Sequence, residues 1–341
     1  MNALILQLPV LSFRLPRRVL VVNVALLALV LLLAVKALFS GSYPVSASQV
    51  LAALQGQTDP VTQMIVVEYR LSRVLTAIGV GLAFGLAGEI VQTLLRNPLA
   101  SPDIIGFTAG AGTGAIFAVA FLGGTGMILT GALLGGALAA AAVVALAWRR
   151  GIAPGQVVLI GIGVTLTLGV ASDLMMTRLD TTSAATLMKW LVGSLHNRSF
   201  EEVAIIWGGL VVLLPLTLWH QFGLSRAALP EEVARGLGIA LNRSRLVSLA
   251  LAVALVAVAV AAAGPLPFVA FVAGPIAHGL NRAPRPTLLT AGLVGILITL
   301  LADLVSQSLP GGLSLPAGVF TALIGAPVLI WVLILQARKQ R

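Results

Sequence analysis

Asn97-Pro98-Leu99-Ala100-Ser101-Pro102-Asp103-Ile104-Ile105-Gly106-Phe107 is a polar, proline-punctuated break in a chain that is otherwise almost entirely apolar. Neither Pro98 nor Pro102 can continue a helix, because each lacks an N–H and pushes its predecessor out of the α region. A plain hairpin between membrane helices needs no break of this kind. A gate or the wall of a water-filled path does, since irregular backbone at membrane depth survives only where protein or water satisfies it.

The surrounding composition names the solvent. Hydrophobic residues make up 59% of the chain and charged residues 9%, against about 25% charged in soluble domains. Mean hydropathy is +1.06. The 36 glycines suit membrane helices that approach through small residues. The chain contains no cysteine, which excludes a disulfide framework and cysteine-bound metal.

Windows of about 20 apolar residues predict an all-α, polytopic membrane protein of about ten transmembrane helices, at roughly 19–39, 71–95, 104–122, 127–147, 155–177, 203–219, 247–264, 266–280, 287–308 and 314–336. The break between the seventh and eighth, at Gly264-Pro265-Leu266-Pro267, is the least marked. With the N-terminus inside, only Lys36, Arg70, Arg73, Arg178, Lys189 and Arg198 of the 21 basic residues fall outside. This asymmetry follows the positive-inside rule and puts both termini in the cytoplasm. The net charge of +10 is therefore a matter of topology, and no nucleic-acid partner is expected. No cleavable signal peptide is evident, and residues 1–341 read as a single transmembrane domain.

Enzymatic chemistry is not expected, and no catalytic or metal-binding residue is assigned. None of the three lysines follows a glycine, so no phosphate-binding loop exists. His196, His220 and His278 are scattered and read as interfacial or packing residues. Glu89, Asp173 and Asp303 lie inside predicted spans, where an ionisable group marks a cavity or a partner. Asp173 and Asp303 fall near the outer helix ends, within reach of water. Glu89 is the deep one, flanked by Gly81, Gly85 and Gly88 at close-packing spacing. Glu89 and Asp303 are candidate pathway-lining residues; the alternative for Glu89 is a hydrogen-bonded carboxylate between helices.

Among the inner loops, 229–246 stands out. Pro230 followed by Glu231 and Glu232 is a helix start, and Gly236 and Gly238 end that helix within about two turns. A brief amphipathic helix on the cytoplasmic face suits docking of a soluble partner; an ordinary interfacial loop is the alternative.

Six further motifs in order carry a resemblance. They are Arg70-Leu71-Ser72-Arg73, Arg96-Asn97-Pro98-Leu99-Ala100, Trp190–Leu195, Ala234-Arg235-Gly236-Leu237-Gly238-Ile239, Ala263-Gly264-Pro265 with Phe268-Val269, and Ala302-Asp303-Leu304 followed by Gly318–Pro327. With these the chain resembles, over about 65 to 335, the FecCD family: permease subunits of bacterial ATP-binding-cassette importers for iron chelates and cobalamin. The resemblance implies a subunit of ten helices that pairs with a second, non-identical permease. It also implies two cytoplasmic ATPase subunits that bind ATP-Mg, with no cofactor on this chain, and a periplasmic siderophore-binding protein. The cell inner membrane is the implied location.

Residue by residue, the resemblance implies ATPase coupling by Glu231, Glu232, Arg235, Gly236 and Gly238. It implies a cytoplasmic gate at Asn97, Pro98 and Leu99, with Arg150–Gln156 as a second constriction, and a short outer gating helix within Thr182–Leu195. Arg70 and Arg73 match the pair that docks the binding protein. Three apart at a helix start, they share nearly one face and suit bidentate contact with carboxylates. Some members of the family carry another arginine before the last helix, which 308–316 lacks. They also place Pro, His and Arg differently from Gly274-Pro275-Ile276-Ala277-His278, so this helix is expected to pack or kink in its own way, and no family role passes to His278. Ser101–Phe107 and Phe271–Pro275 most resemble permeases for ferric enterobactin and similar catecholates. Hydroxamate-iron, haem or cobalamin are the alternative cargoes. A proton-coupled secondary transporter using Glu89 and Asp303 is the alternative mechanism.

Overall fold

A computed structural model describes residues 3–8, 11–41, 43–148, 152–227, 229, 231–282, 286–308 and 315–339. A two-stranded antiparallel hairpin, β1 (Ala3–Leu8) and β2 (Leu11–Pro16), leads into the membrane domain and adds a small element to the all-α expectation. The first span is α1 (Arg17–Phe39), followed on the outer side by the short α2 (Ala47–Leu54). A one-turn α3 (Pro60–Gln63) then runs through π-helical Met64–Leu71 into α4 (Ser72–Leu95). Next come α5 (Phe107–Ala118), α6 (Ile128–Ala147), α7 (Pro154–Met176) and the short outer α8 (Thr181–Val192). The chain continues through α9 (Phe200–Ala227), the inner α10 (Glu231–Gly236), α11 (Leu241–Ala263), α12 (Val269–Asn281), α13 (Leu288–Gln307) and α14 (Ala317–Lys339).

Seven of these helices are long and apolar enough to cross a membrane, and three shorter apolar ones, Phe107–Leu122, Val269–Asn281 and Ala317–Trp331, fill the remaining expected positions. All ten anticipated spans are therefore helices. The break between the seventh and eighth is real: Gly264 and Phe268 both take positive φ, at 74° and 66°, and the chain turns between them.

One boundary moved with consequences. The second span was expected to begin at 71 but begins at Pro60, because Asp59 caps it by accepting a 2.9 Å hydrogen bond from the Thr62 N–H. Pro60 then occupies the first helical position, where its missing N–H does no harm. Glu68, Arg70 and Arg73 dilute the apolar signal of this stretch, which hid the start. Arg70 and Arg73 therefore sit within a continuous helix and not at its beginning.

The core is built on α4, the most buried span, packed against α11, α12 and α13. Its glycines let backbones touch. A Cβ on Gly85 would lie 2.3 Å from the Ala291 carbonyl oxygen of α13, and one on Gly88 would lie 1.8 Å from that of Ala270 on α12. Apolar lipid supplies no hydrophobic drive between helices, so such close van der Waals approach holds the bundle together. By contrast α1 and α7 are the least buried spans.

Candidate coupling, gating and docking sites

At the inner end of α4 the chain leaves the helix through Arg96 in the left-handed region, φ 50°. Asn97 then accepts a 2.9 Å hydrogen bond from the Leu99 N–H onto Oδ1, and the Ala100 N–H bonds the Asn97 carbonyl at 3.0 Å. This side-chain turn does the work a helix could not do across Pro98. Pro102 opens a single 3₁₀ turn, Pro102–Ile105, and Gly106 at φ 78° starts α5. Asn97 and Pro98 are exposed, Leu99 is half-buried, and Ala100 to Pro102 are buried. The outer wall of this turn meets α7, where Gly161 lies so close to the Ile104 carbonyl that a Cβ would sit 1.7 Å from it.

The segment 229–246 forms α10 as expected, with Glu231 and Glu232 in its first turn. Ala234 is fully buried and packs with Ala227 and Leu241. Val233 and Leu237 face out, 50% and 66% exposed, an apolar pair that neither propensity nor motif had singled out. Gly236 and Gly238 are exposed, with open space where a Cβ would go, and Gly238 has φ 69°. The Arg235 side chain and Arg150 lie outside the described residues.

Two arginines fasten this segment. Arg96 Nη2 donates to the carbonyls of Ala227, at 3.2 Å, and Leu229. Arg245, 4% exposed on the first turns of α11, donates through Nη1 to the Ile152 carbonyl at 2.7 Å and through Nη2 to Glu231 Oε2 at 3.3 Å. Arg245 was counted in the sequence only as one more inner positive charge; nothing in its neighbours signals that it is buried.

At the outer end, Arg70 and Arg73 part company. Arg70 is buried and donates to the carbonyls of Leu38, at 2.9 Å, and Tyr43, which pins the turn between α1 and α2. Arg73 reaches Asp303 on α13 with Nε at 2.9 and 3.0 Å and Nη2 at 2.6 Å, and Gln307 Nε2 closes the other side of that carboxylate at 2.8 Å. The two side chains have different partners: Arg70, in the π-helical turn, reaches back to the end of α1, and Arg73, just beyond it, reaches across to α13. The expectation that water reaches Asp303 is also corrected: it is 1% exposed. Asp173 is exposed. The outer helix α8 starts at Asp180, which accepts a 2.9 Å bond from the Ser183 N–H.

Glu89 is fully buried in the inner half of α4, where Oε1 accepts from the Thr287 N–H at 2.8 Å and lies 3.0 Å from His278 Nε2. That histidine, left without a role by the motif comparison, is thus paired. Neither Glu89 nor Asp303 faces out of the helix packing of this subunit. One turn on, Gln92 Nε2 donates to the Phe271 carbonyl at 2.8 Å. Pro275 stands four residues after Phe271 and lacks the N–H that would bond that carbonyl in a helix, so Gln92 repairs the gap. Among the described residues no group of three or more His, Asp or Glu is placed to hold a metal ion.

Residues 26–335 match the FecCD transport family. The chain is 35% identical over 325 residues, 95% of its length and 98% of the relative's, to the ferric enterobactin transport system permease protein FepG of Escherichia coli strain K12. It is 36% identical over 324 residues, 92% of its length and 91% of the relative's, to the achromobactin transport system permease protein CbrC of Dickeya dadantii strain 3937. A metal-chelate type ABC transporter solved in an inward-facing conformation superposes with a TM-score of 0.82 at 28% identity, covering 92% of this chain and 98% of that one. Ten apolar helices, an exposed inner α10 and near-complete matches on both sides agree: the chain belongs to the FecCD transport family.

Proposed function

We propose that the chain is a permease subunit of an ATP-driven importer that carries ferric siderophores across the inner membrane by alternating access, with ferric enterobactin or a similar catecholate as cargo. The observation that carries this reading is α10, held at the inner surface with Val233 and Leu237 exposed and tied by arginines to two inner turns. A soluble motor that grips α10 would thereby hold the Asn97–Leu99 gate. In this reading the chain pairs with a second, non-identical permease, and ATP-Mg is bound by two cytoplasmic ATPase subunits. A periplasmic siderophore-binding protein lands on the outer rim around Arg70 and Arg73. The catecholate assignment rests on the enterobactin and achromobactin permeases among the relatives. The proton-coupled carrier is disfavoured because Asp303 is spent on Arg73, and Glu89 on Thr287 and His278.

The test is uptake of labelled iron as a ferric catecholate in cells lacking the chain and cells in which it is restored, with ferric hydroxamate, haem and cobalamin in parallel. Selective, rescued loss of catecholate uptake is the expected result. Loss of a different chelate would move the cargo and keep the importer; no change in any would remove the importer reading. Gly236→Leu sharpens the coupling assignment. Open space surrounds that position, so the variant inserts normally and loses uptake only if a partner covers it. Unlike Gly238, it has no left-handed φ to confound the result.

A further inference from the structure

Ile152, in the turn between α6 and α7, is 1% exposed. Both of its backbone groups are taken by the start of α11: its N–H donates to Asn242 Oδ1 at 3.3 Å, and its carbonyl accepts from Arg245 Nη1 at 2.7 Å. Asn242 and Arg245 are three residues apart and so share a helix face. The second arm of the Arg245 guanidinium reaches Glu231 on α10, while its buried Nε has no hydrogen-bond partner. We infer that Asn242 and Arg245 form a latch that transmits displacement of α10 to the α6–α7 turn and so to α7, making Arg245 a positioning residue for transport.

Three observations support transmission over simple bracing. Arg245 meets its carboxylate through a single 3.3 Å contact and keeps a buried Nε without a hydrogen-bond partner, whereas a rigid brace needs closed, fully satisfied geometry. Glu231 is itself 43% exposed, so a partner on α10 can reach the charge that Arg245 senses. Past the latch, α7 is among the least buried spans, so few contacts within the chain oppose its displacement. Its Gly161 also touches the Ile104 carbonyl in the gate turn. The contacts are therefore continuous from α10 through Arg245 and Ile152 along α7 to the Pro102–Ile105 turn that follows Asn97–Leu99. The role of α10 as the motor's handle rests on the function proposed above; the latch itself does not.

The natural absence of cysteine allows a direct test. Spin labels on Leu237→Cys and Gly155→Cys, both exposed, report the α10–α7 distance in the full chain in lipid nanodiscs. A narrow distribution is expected, broadened by Arg245→Lys, which keeps the charge but loses the fork, and less by Glu231→Gln, which leaves the Ile152 clamp. Unchanged widths in both variants overturn the latch. In the complete importer in proteoliposomes, without labels, Arg245→Lys should lower iron chelate transported per ATP hydrolysed by about tenfold, the scale of a lost charge-assisted hydrogen bond, and Arg245→Lys with Glu231→Gln should add little. Uptake and hydrolysis falling in equal proportion would reduce Arg245 to a structural brace. Distances that respond as expected while the unmodified importer moves no chelate would leave the latch standing and defeat the importer reading.

Discussion

The two ends of the bundle both bury arginines, yet they use them differently. At the outer end Arg73 and Asp303 form a closed pair between α4 and α13, with three contacts of 3.0 Å or less and Gln307 behind. At the inner end Arg245 meets a half-exposed Glu231 at 3.3 Å and gives its shorter bond to a backbone carbonyl. Bidentate geometry with every lone pair satisfied is what allows a buried ion pair to hold two helices rigidly. A longer bond to a group that water reaches is easily remade. The outer end is thus a brace and the inner end a joint, as expected if force is applied at one face of the membrane and the other must hold its shape.

The comparison is most easily broken at the brace. Asp303→Ala leaves the half-buried Arg73 without its carboxylate and should cost about 3 kcal/mol, read as a large fall in the midpoint of thermal unfolding in detergent. The double variant Arg73→Met with Asp303→Met should recover most of it. If Asp303→Ala is no less stable than the parent, the outer pair is not a brace. Next comes Gln92→Leu, which strands the Phe271 carbonyl and should cost about 1–3 kcal/mol. In a Pro275→Ala background, where residue 275 regains an N–H for that carbonyl, the same change should cost much less; equal losses in both backgrounds would exclude the repair.

At the joint, Glu231→Ala leaves the buried Arg245 guanidinium with the Ile152 carbonyl as its acceptor and should cost about 1–2 kcal/mol of stability, less than the brace, while reducing uptake in cells. A stability loss matching that of Asp303→Ala would erase the distinction between the ends. The smallest effect concerns pH. His196, in the outer loop before α9, has its pKa lowered below 6.5 by burial and then by the nearby Arg73 charge. The unfolded chain therefore binds this proton more readily, so stability rises with pH through the window just below about 6.5 and levels off above it. Acidification should lower the unfolding midpoint slightly more in the parent than in His196→Gln, and identical profiles would remove the assignment.

Much of this molecule was legible without coordinates. Glycines at 81, 85 and 88 announced the tight face of α4, because only glycine lets two backbones meet at carbonyl distance. The prolines at 98 and 102 announced a non-helical turn, since each removes a donor wherever it stands. The acidic start and glycine end of α10 were likewise readable, as end signals act within a turn of their own residues. The separate partners of Arg70 and Arg73, the end of α1 and Asp303 on α13, were not readable, because they depend on a helix that starts at Pro60 and passes through a π turn. Propensity and hydropathy do not register either feature.

The sequence by itself determined the solvent, the number and direction of the spans, and the positions of the breaks, because hydropathy, charge asymmetry and missing N–H groups are properties of single residues or short windows. Only the tertiary structure decided who meets whom: Asp303 with Arg73 across 230 positions, Gln92 with the carbonyl freed by Pro275, and Arg245 between Glu231 and Ile152. Those pairings depend on which helices become neighbours and how far each is rotated. In a chain where nearly every face is apolar, the hydrophobic pattern carries little of that information.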